Sequence, residues 1–281
     1  RRRSIRTFYL YLQEIDTFEG DSELLNAIKT LLAFAVDRLV YQNTSLSRWD
    51  STRLTIKGAF SKQALAVVWD FAEANPFSNG SANWSSAIDW IVQFIENSTC
   101  IDLSGTVVRA SATEQVLPVE AAAALATDPP YYAAIPYSDL SDFFYVWLRR
   151  GLGSVFPELF QTNLTEKLDE LIVTNAQLGP GARQKDDSFF REGMTRAFSV
   201  ARETTAPAGV AIIIYADSST SSWEALLGAI IDAGWVITSS WPIDTEMLNR
   251  TQAQRAASLQ SSIHIVCHPR EDPSGNLIED S

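Results

Sequence analysis

The sequence predicts an α/β protein with a helical first part, and three observations carry that prediction. Between Ser22 and Tyr41 the apolar residues Leu25, Ile28, Leu32, Ala35 and Leu39 recur at helical spacing. Beyond Cys100 the pattern changes to short β-rich runs separated by amphipathic helices, as in a sheet whose strands are mostly parallel. Hydrophobic residues make up 46% of the 281, enough to bury a sizeable core, which excludes a disordered or fibrous chain.

Each element follows from its own pattern. Leu24, Leu31 and Val36 widen the first stripe into that of a buried helix, with Ser22 placed to cap it. Two more helices are expected, around Lys62 to Glu73 and from Trp84 to Glu96, where Ile88, Ile91, Val92 and Ile95 share a face. Between them, Asn75-Pro76-Phe77-Ser78-Asn79-Gly80-Ser81 reads as a turn-rich loop. The expected strands are Gly105 to Ala110, Ala121 to Thr127, Val210 to Ala216, Trp235 to Ser239 and Ile263 to His268. A helix with Trp223, Leu226, Leu227, Ile230 and Ile231 on one face joins the third to the fourth. Ser221 or Ser222 is placed to cap it, and Gly234 fits the left-handed position past its end. No helical period links the last two strands, so they are expected to pair as an antiparallel hairpin. The predicted organisation is a helical subdomain over residues 1–100, an α/β core over 101–270 and an acidic, solvated, disordered tail over 271–281.

Composition removes several function classes. Cys100 and Cys267 are the only cysteines and His264 and His268 the only histidines, so a disulfide framework and a protein-only transition-metal site are excluded. The longest apolar runs, such as Ala121 to Ala126 and Val210 to Tyr215, fall far short of the ~20 residues that cross a bilayer. With 22 basic and 34 acidic residues the formal charge is −12, against the clustered Lys and Arg of a generic nucleic-acid coat. Discounting the four acids of the tail still leaves −8. The opening Arg1-Arg2-Arg3-Ser4-Ile5-Arg6 lacks a methionine and a following apolar run, and reads as part of something longer.

The strongest chemical signal is Thr127-Asp128-Pro129-Pro130-Tyr131-Tyr132, directly after the apolar run at Ala121 to Ala126. Ligands of open α/β sheets bind beyond the carboxyl ends of strands. Two prolines fix their own φ and donate no backbone hydrogen bond, so the carbonyls of Asp128 and Pro129 stay rigidly aimed as acceptors. A carboxylate, bare carbonyls and an aromatic ring within four residues are the groups that hold the exocyclic amino group of an extruded base. The plainer alternative is a tight turn flanked by core aromatics. The following stretch explains itself as packing. Leu140, Phe143, Phe144, Trp147 and Leu148 share a helical face that should hold the motif loop, Ser138 caps it and Gly151 ends it. Asp139 and Asp142 complement its positive end, Arg149 and Arg150 its negative end.

Asp128-Pro129-Pro130-Tyr131 resembles the catalytic motif of the amino-methyltransferases that use S-adenosylmethionine to methylate adenine N6 or cytosine N4 in DNA. The longer run Thr127 to Tyr132, continued by Ile135 to Arg150, is similar to one subgroup. These are the large prokaryotic adenine-specific DNA methylases that carry a zinc ribbon and an amino-terminal domain of unknown function. Asn43, Ser45, Arg48 and Trp49, then Gln63-Ala64-Leu65 and Val68 to Glu73, resemble the same subgroup, so the likeness covers most of the chain.

The resemblance implies a Rossmann-like S-adenosylmethionine-dependent methyltransferase core, incomplete because its first strands are missing. It implies N6-adenine methylation of DNA, in a restriction-modification or phage-defence system of the cytoplasm. Asp128 and the Pro129 carbonyl would accept hydrogen bonds from the amino group of a flipped adenine, Pro130 would stiffen the turn, and Tyr131 would stack on the base. No metal is required, and Ala133 stands where many relatives carry an acid. Gly20, Gly58, Gly80 and Gly105 are each isolated, so no glycine-rich turn for S-adenosylmethionine precedes the motif. That turn, with the zinc ribbon, is expected in a missing amino-terminal half or a partner chain. The strand before Asp128 would then expose an unpaired edge. Ser111, at the end of Gly105 to Ala112, is the one residue expected near the cofactor.

Two windows are candidates for DNA contact. Arg48, Arg53, Lys57 and Lys62 stand against the single acid Asp50 between Ser45 and Gln63, although a solvated helix flank explains them as well. The loop Gly179-Pro180-Gly181-Ala182-Arg183-Gln184-Lys185 offers Arg183 and Lys185 within a connection longer than an ordinary crossover. The rival readings are an RNA-base or protein-amide methyltransferase, and a catalytically inactive interaction module of a defence assembly.

Overall fold

A computed structural model describes residues 8, 10–60, 64–98, 105–176, 182–243 and 262–270. The acidic tail, Lys62 and the glycines of the 179–185 loop lie outside them. The chain divides into two compact units, Arg1–Thr106 with Tyr137–Lys167, and Val107–Pro136 with Leu168–Ser281. The segment Tyr137–Lys167 thus groups with the helical part rather than with the α/β part.

In the first unit, helix α1 (Ser22–Gln42) follows the predicted stripe, but Asp21 caps it in place of Ser22, its carboxylate accepting the Glu23 N–H at 2.9 Å. Ala33, Val36, Leu39 and Val40 of α1 form a core with Phe8, Leu12 and Leu152. Helix α2 (Trp84–Ser98) places Trp84 against this core, and helix α3 (Tyr137–Leu152) places Phe143, Trp147 and Leu148 there. The apolar face of α3 therefore packs within the first unit, which corrects the expectation that it holds the motif loop. Ser138 lies inside its first turn, and the helix runs through Gly151 to Leu152. Asp142, expected only to complement the helix dipole, accepts the Thr165 N–H and hydroxyl at 2.8 and 2.7 Å and the Lys167 ammonium at 2.7 Å, tying down a strap beside α3.

The helix expected over Lys62 to Glu73 is absent from its described part, 64–73. Its backbone donors are engaged elsewhere: Val68 N–H bonds the Ser45 carbonyl at 2.8 Å and Ala72 N–H that of Ser47 at 3.3 Å. The β-branched pair Val67-Val68 suits this extended course better than a helix. The basic window before it is a hairpin, β1 (Arg48–Asp50) antiparallel to β2 (Thr55–Lys57), rather than a helix flank.

The second unit is a mixed sheet of strands β3 (Ala122–Thr127), β4 (Thr205–Tyr215), β5 (Trp235–Ile243) and β6 (Ser262–Pro269), in the order β3-β4-β6-β5. β3 and β4 run parallel, and β6 pairs antiparallel with both β4 and β5, so the expected terminal hairpin forms. Helices α4 (Asp187–Thr204) and α5 (Thr220–Asp232) pack together on one face over Ala211, Ile213, Tyr215, Ile265 and Cys267. The period of Phe190, Met194 and Phe198 makes α4, and Asp186 caps it by accepting the Phe189 N–H at 2.9 Å. Ser219 caps α5 in place of Ser221 or Ser222, and Gly234 takes φ +83° just past its end.

The other face of the sheet is only partly covered: Val210, Ile214, His264 and Val266 are half-buried, while Ile212 is 38% exposed and Trp241 61%. Among the described strands β3 pairs with β4 alone, and Ala123, Ala124 and Ala126 are exposed. The strand expected at Gly105 to Ala110 does not form. A strand requires a neighbouring strand for its backbone groups, and among the described strands none pairs with this stretch, where Val107 is 97% exposed.

Asp37 on α1 is buried with Oδ1 lacking a hydrogen-bond partner, and burial pushes its carboxyl from 3.8 to about 8. The folded unit keeps a proton that the unfolded chain releases near pH 4, so stability falls as pH rises from about 4 to 8 and levels beyond. Asp37→Asn should flatten that dependence and raise stability at pH 8 by the order of a few kcal/mol. Urea unfolding at pH 5 and pH 8, followed on the helical signal, checks this; an unchanged pH dependence would count against it.

Candidate active site

The parallel register sets Thr127 of β3 opposite Ile213 of β4, so both strands end at the same edge of the sheet. Asp128-Pro129-Pro130-Tyr131-Tyr132 continues from β3, and Ala216-Asp217 with the serine-rich turn from β4. Pro129 is buried and Pro130 half-buried, which anchors the turn. The Asp128 carboxylate is exposed and hydrogen-bonded to no described residue. Tyr131 is half-buried, its ring nearly perpendicular to that of Tyr215, with centroids 5.5 Å apart and 79° between the planes.

Tyr132 is held from three sides. Its hydroxyl donates to Asp187 Oδ1, its carbonyl accepts the Val173 N–H at 2.7 Å, and its ring meets Phe190 edge-on at 5.1 Å. Burial, then the Asp187 carboxylate, pushes its hydroxyl up to about 12, so it stays protonated at ordinary pH. Below Tyr131, the Tyr215 hydroxyl is hydrogen-bonded to Ser222 Oγ and its ring stands perpendicular to Trp223 at 5.1 Å. Asp217 closes the turn into α5, with Oδ1 accepting the Ser219 N–H at 2.8 Å and its carbonyl accepting Trp223 Nε1–H at 2.8 Å. The result is an exposed carboxylate and a half-buried aromatic ring on a backbone braced from both strands.

The other expected site residues fare differently. Ser111 lies in an exposed turn, its hydroxyl bonded to that of Thr113 at 2.8 Å, and terminates no strand. Arg48 and Arg53 are exposed on the β1–β2 hairpin, where Lys57 pairs with Asp50 at 3.0 Å. The Thr52 hydroxyl, with Lys57, holds that Asp50 carboxyl well below the usual range. Arg183 is exposed, bonded to Glu192 at 2.9 Å and lying over the Phe189 ring. Lys185, expected to meet phosphate, is instead 2% exposed and donates to the Glu170 carbonyl at 2.6 Å. A backbone bridge to Thr174, whose N–H donates to the Lys185 carbonyl at 2.9 Å, holds it against the 170–174 segment and accounts for the change.

Sequence reasoning missed Tyr215, Asp187, Asp217, Ser222 and Trp223 as parts of this edge. A signal existed for some of them: Asp217 to Ser222 is a polar run between an apolar strand and a helix. Among the described residues no group of His, Cys, Asp and Glu could hold a metal ion, and no helix is long and apolar enough to cross a membrane. No protein-family model and no curated protein matches this chain.

Lys185→Ala removes a charge-assisted hydrogen bond and a buried aliphatic stem, and should cost about 1–3 kcal/mol of stability. Arg183→Ala should leave stability within about 0.5 kcal/mol, as exposed ion pairs do. Chemical denaturation of the two variants separates them; equal stability would place Lys185 at the surface.

Proposed function

We propose that this chain is the catalytic-motif half of an S-adenosylmethionine-dependent DNA methyltransferase acting on adenine N6. The observation that carries the reading is the placement of Asp128-Pro129-Pro130-Tyr131 at the carboxyl end of a strand paired in parallel, with Asp128 exposed. In this reading the unit is a part of a Rossmann-like methyltransferase core.

The roles follow from hydrogen-bond geometry. An aromatic amino group is planar and a poor nucleophile because its lone pair is delocalised into the ring. Two fixed acceptors, the Asp128 carboxylate and the Pro129 carbonyl, draw its two N–H groups out of that plane and localise the pair. They do so without reorganising, because the prolines and the buried Tyr132 hold the backbone. Tyr131 supplies a ring on which the extruded base stacks, worth about 1–3 kcal/mol per base. Asp128 is also the group placed to take up the proton that the amino nitrogen loses.

The methyl donor is a different matter. Ser111 sits in an exposed turn, no glycine-rich turn precedes the motif, and among the described strands β3 has no second neighbour. The described residues do not fit S-adenosylmethionine. The donor pocket belongs to a further segment, on the same polypeptide or a partner chain. DNA would be the second partner, through Arg48, Arg53 and Arg183, and the cytoplasm the place of action.

Asp128→Ala should abolish methylation of adenine-containing DNA by the complete polypeptide, measured by transfer of labelled methyl groups. Tyr131→Ala should lower it by about tenfold to a hundredfold, the equivalent of one stacking contact. Activity that survives Asp128→Ala rejects the role given to that carboxylate. Calorimetry of this chain alone should detect no tight binding of S-adenosylmethionine; tight binding would show that the donor pocket is present after all.

A further inference from the structure

Two consecutive tyrosines follow the prolines, and the fold treats them differently. Tyr131 keeps a half-buried ring at the edge of the sheet, whereas Tyr132 is buried and its hydroxyl donates to Asp187, an exposed residue at the start of α4. Asp187 is the first residue of α4, a helix fixed in the core by Phe190, Met194 and Phe198. The residues just before it are tied back to the 170–174 segment. Lys185 donates from its ammonium to the Glu170 carbonyl at 2.6 Å and accepts the Thr174 N–H at its own carbonyl at 2.9 Å. The neighbouring Val173 N–H bonds the Tyr132 carbonyl at 2.7 Å. Tyr132 is thereby keyed into a knot of backbone that the core itself holds.

We propose that Asp187 is a positioning residue for the motif loop, acting through the Tyr132 hydroxyl to fix the backbone that carries Asp128 and the Pro129 carbonyl. The Tyr132 ring is buried, and Asp187 is the carboxylate that accepts its hydroxyl proton. Releasing it lets the loop rotate about its proline anchor, and a displacement of about 1 Å at a reacting group costs on the order of a hundredfold in rate. The mechanical part of this proposal stands without any reaction, and only its catalytic consequence rests on the methyl-transfer reading.

Hydrogen exchange tests the mechanical part on the whole chain. Tyr132→Phe and Asp187→Ala should each speed exchange at the Tyr131 and Val173 amides by about tenfold, with β4 amides unchanged. The double variant should be no faster than either single one, because both remove the same link. Asp187→Asn, whose amide oxygen still accepts the phenol, should stay near the parent rate. Unchanged exchange in the single variants, additive rates in the double variant, or equal acceleration in β4 would each overturn the proposal. In the complete polypeptide, Tyr132→Phe should lower kcat for DNA methylation by about tenfold to a hundredfold and leave KM within twofold. A raised KM with unchanged kcat would overturn the positioning role. Absence of methylation in the unsubstituted protein sinks the methyltransferase reading, while the exchange result still decides the link.

Discussion

Because β3 and β4 run in parallel, with Thr127 opposite Ile213, two segments far apart in sequence finish at one edge of the sheet. The motif loop leaves from one strand end, and the Tyr215 ring that meets Tyr131 sits at the other. A parallel pair needs a long crossover connection, and α4 is the helix that makes it. That same helix delivers Asp187 to the Tyr132 hydroxyl and Phe190 to its ring. Break the ladder, and each brace on the loop loses its origin.

The ladder is fully buried on one side and partly exposed on the other. Ala211, Ile213 and Tyr215 face α4 and α5, while Ile212 and, across the sheet, Trp241 face outward. Strands of a parallel sheet usually read as continuous apolar runs because both faces are covered, and Val210 to Tyr215 is such a run. Among the described strands β3 lacks a second neighbour and the outer face is partly exposed, which suits a sheet to which more structure is added.

Charge is more committed than the net value suggests. Lys29, Lys57, Lys167, Arg183 and Arg191 each pair with a carboxylate, and Lys185 is buried against a backbone carbonyl. In a chain of charge −12, these six cations are engaged within the fold rather than offered to phosphate. In the proposed reading, one extruded base is held by a carboxylate, a carbonyl and a ring, contacts that do not draw on basic surface.

The strands at 122–127 and 262–269, the second half of β4 at 210–215 and the helix at 220–232 were legible in sequence, since local apolar period and turn chemistry specify them, whereas Thr205 to Gly209 were not read as strand. The Asp-Pro-Pro-Tyr-Tyr turn was legible for the same reason: its stiffness is covalent. The expected strand at 105–110 and helix at 62–73 were misread because pairing decides such segments: one finds no neighbour, and the other gives its N–H groups to Ser45 and Ser47. Lys185 read as an open cation because sequence records charge but not depth. The sequence alone determined where a rigid acceptor-rich turn stands and which strand carries it. Only the tertiary structure decided what braces it, because Tyr215, Asp187 and Ser222 reach the loop through a parallel ladder and helix packing that no local pattern encodes.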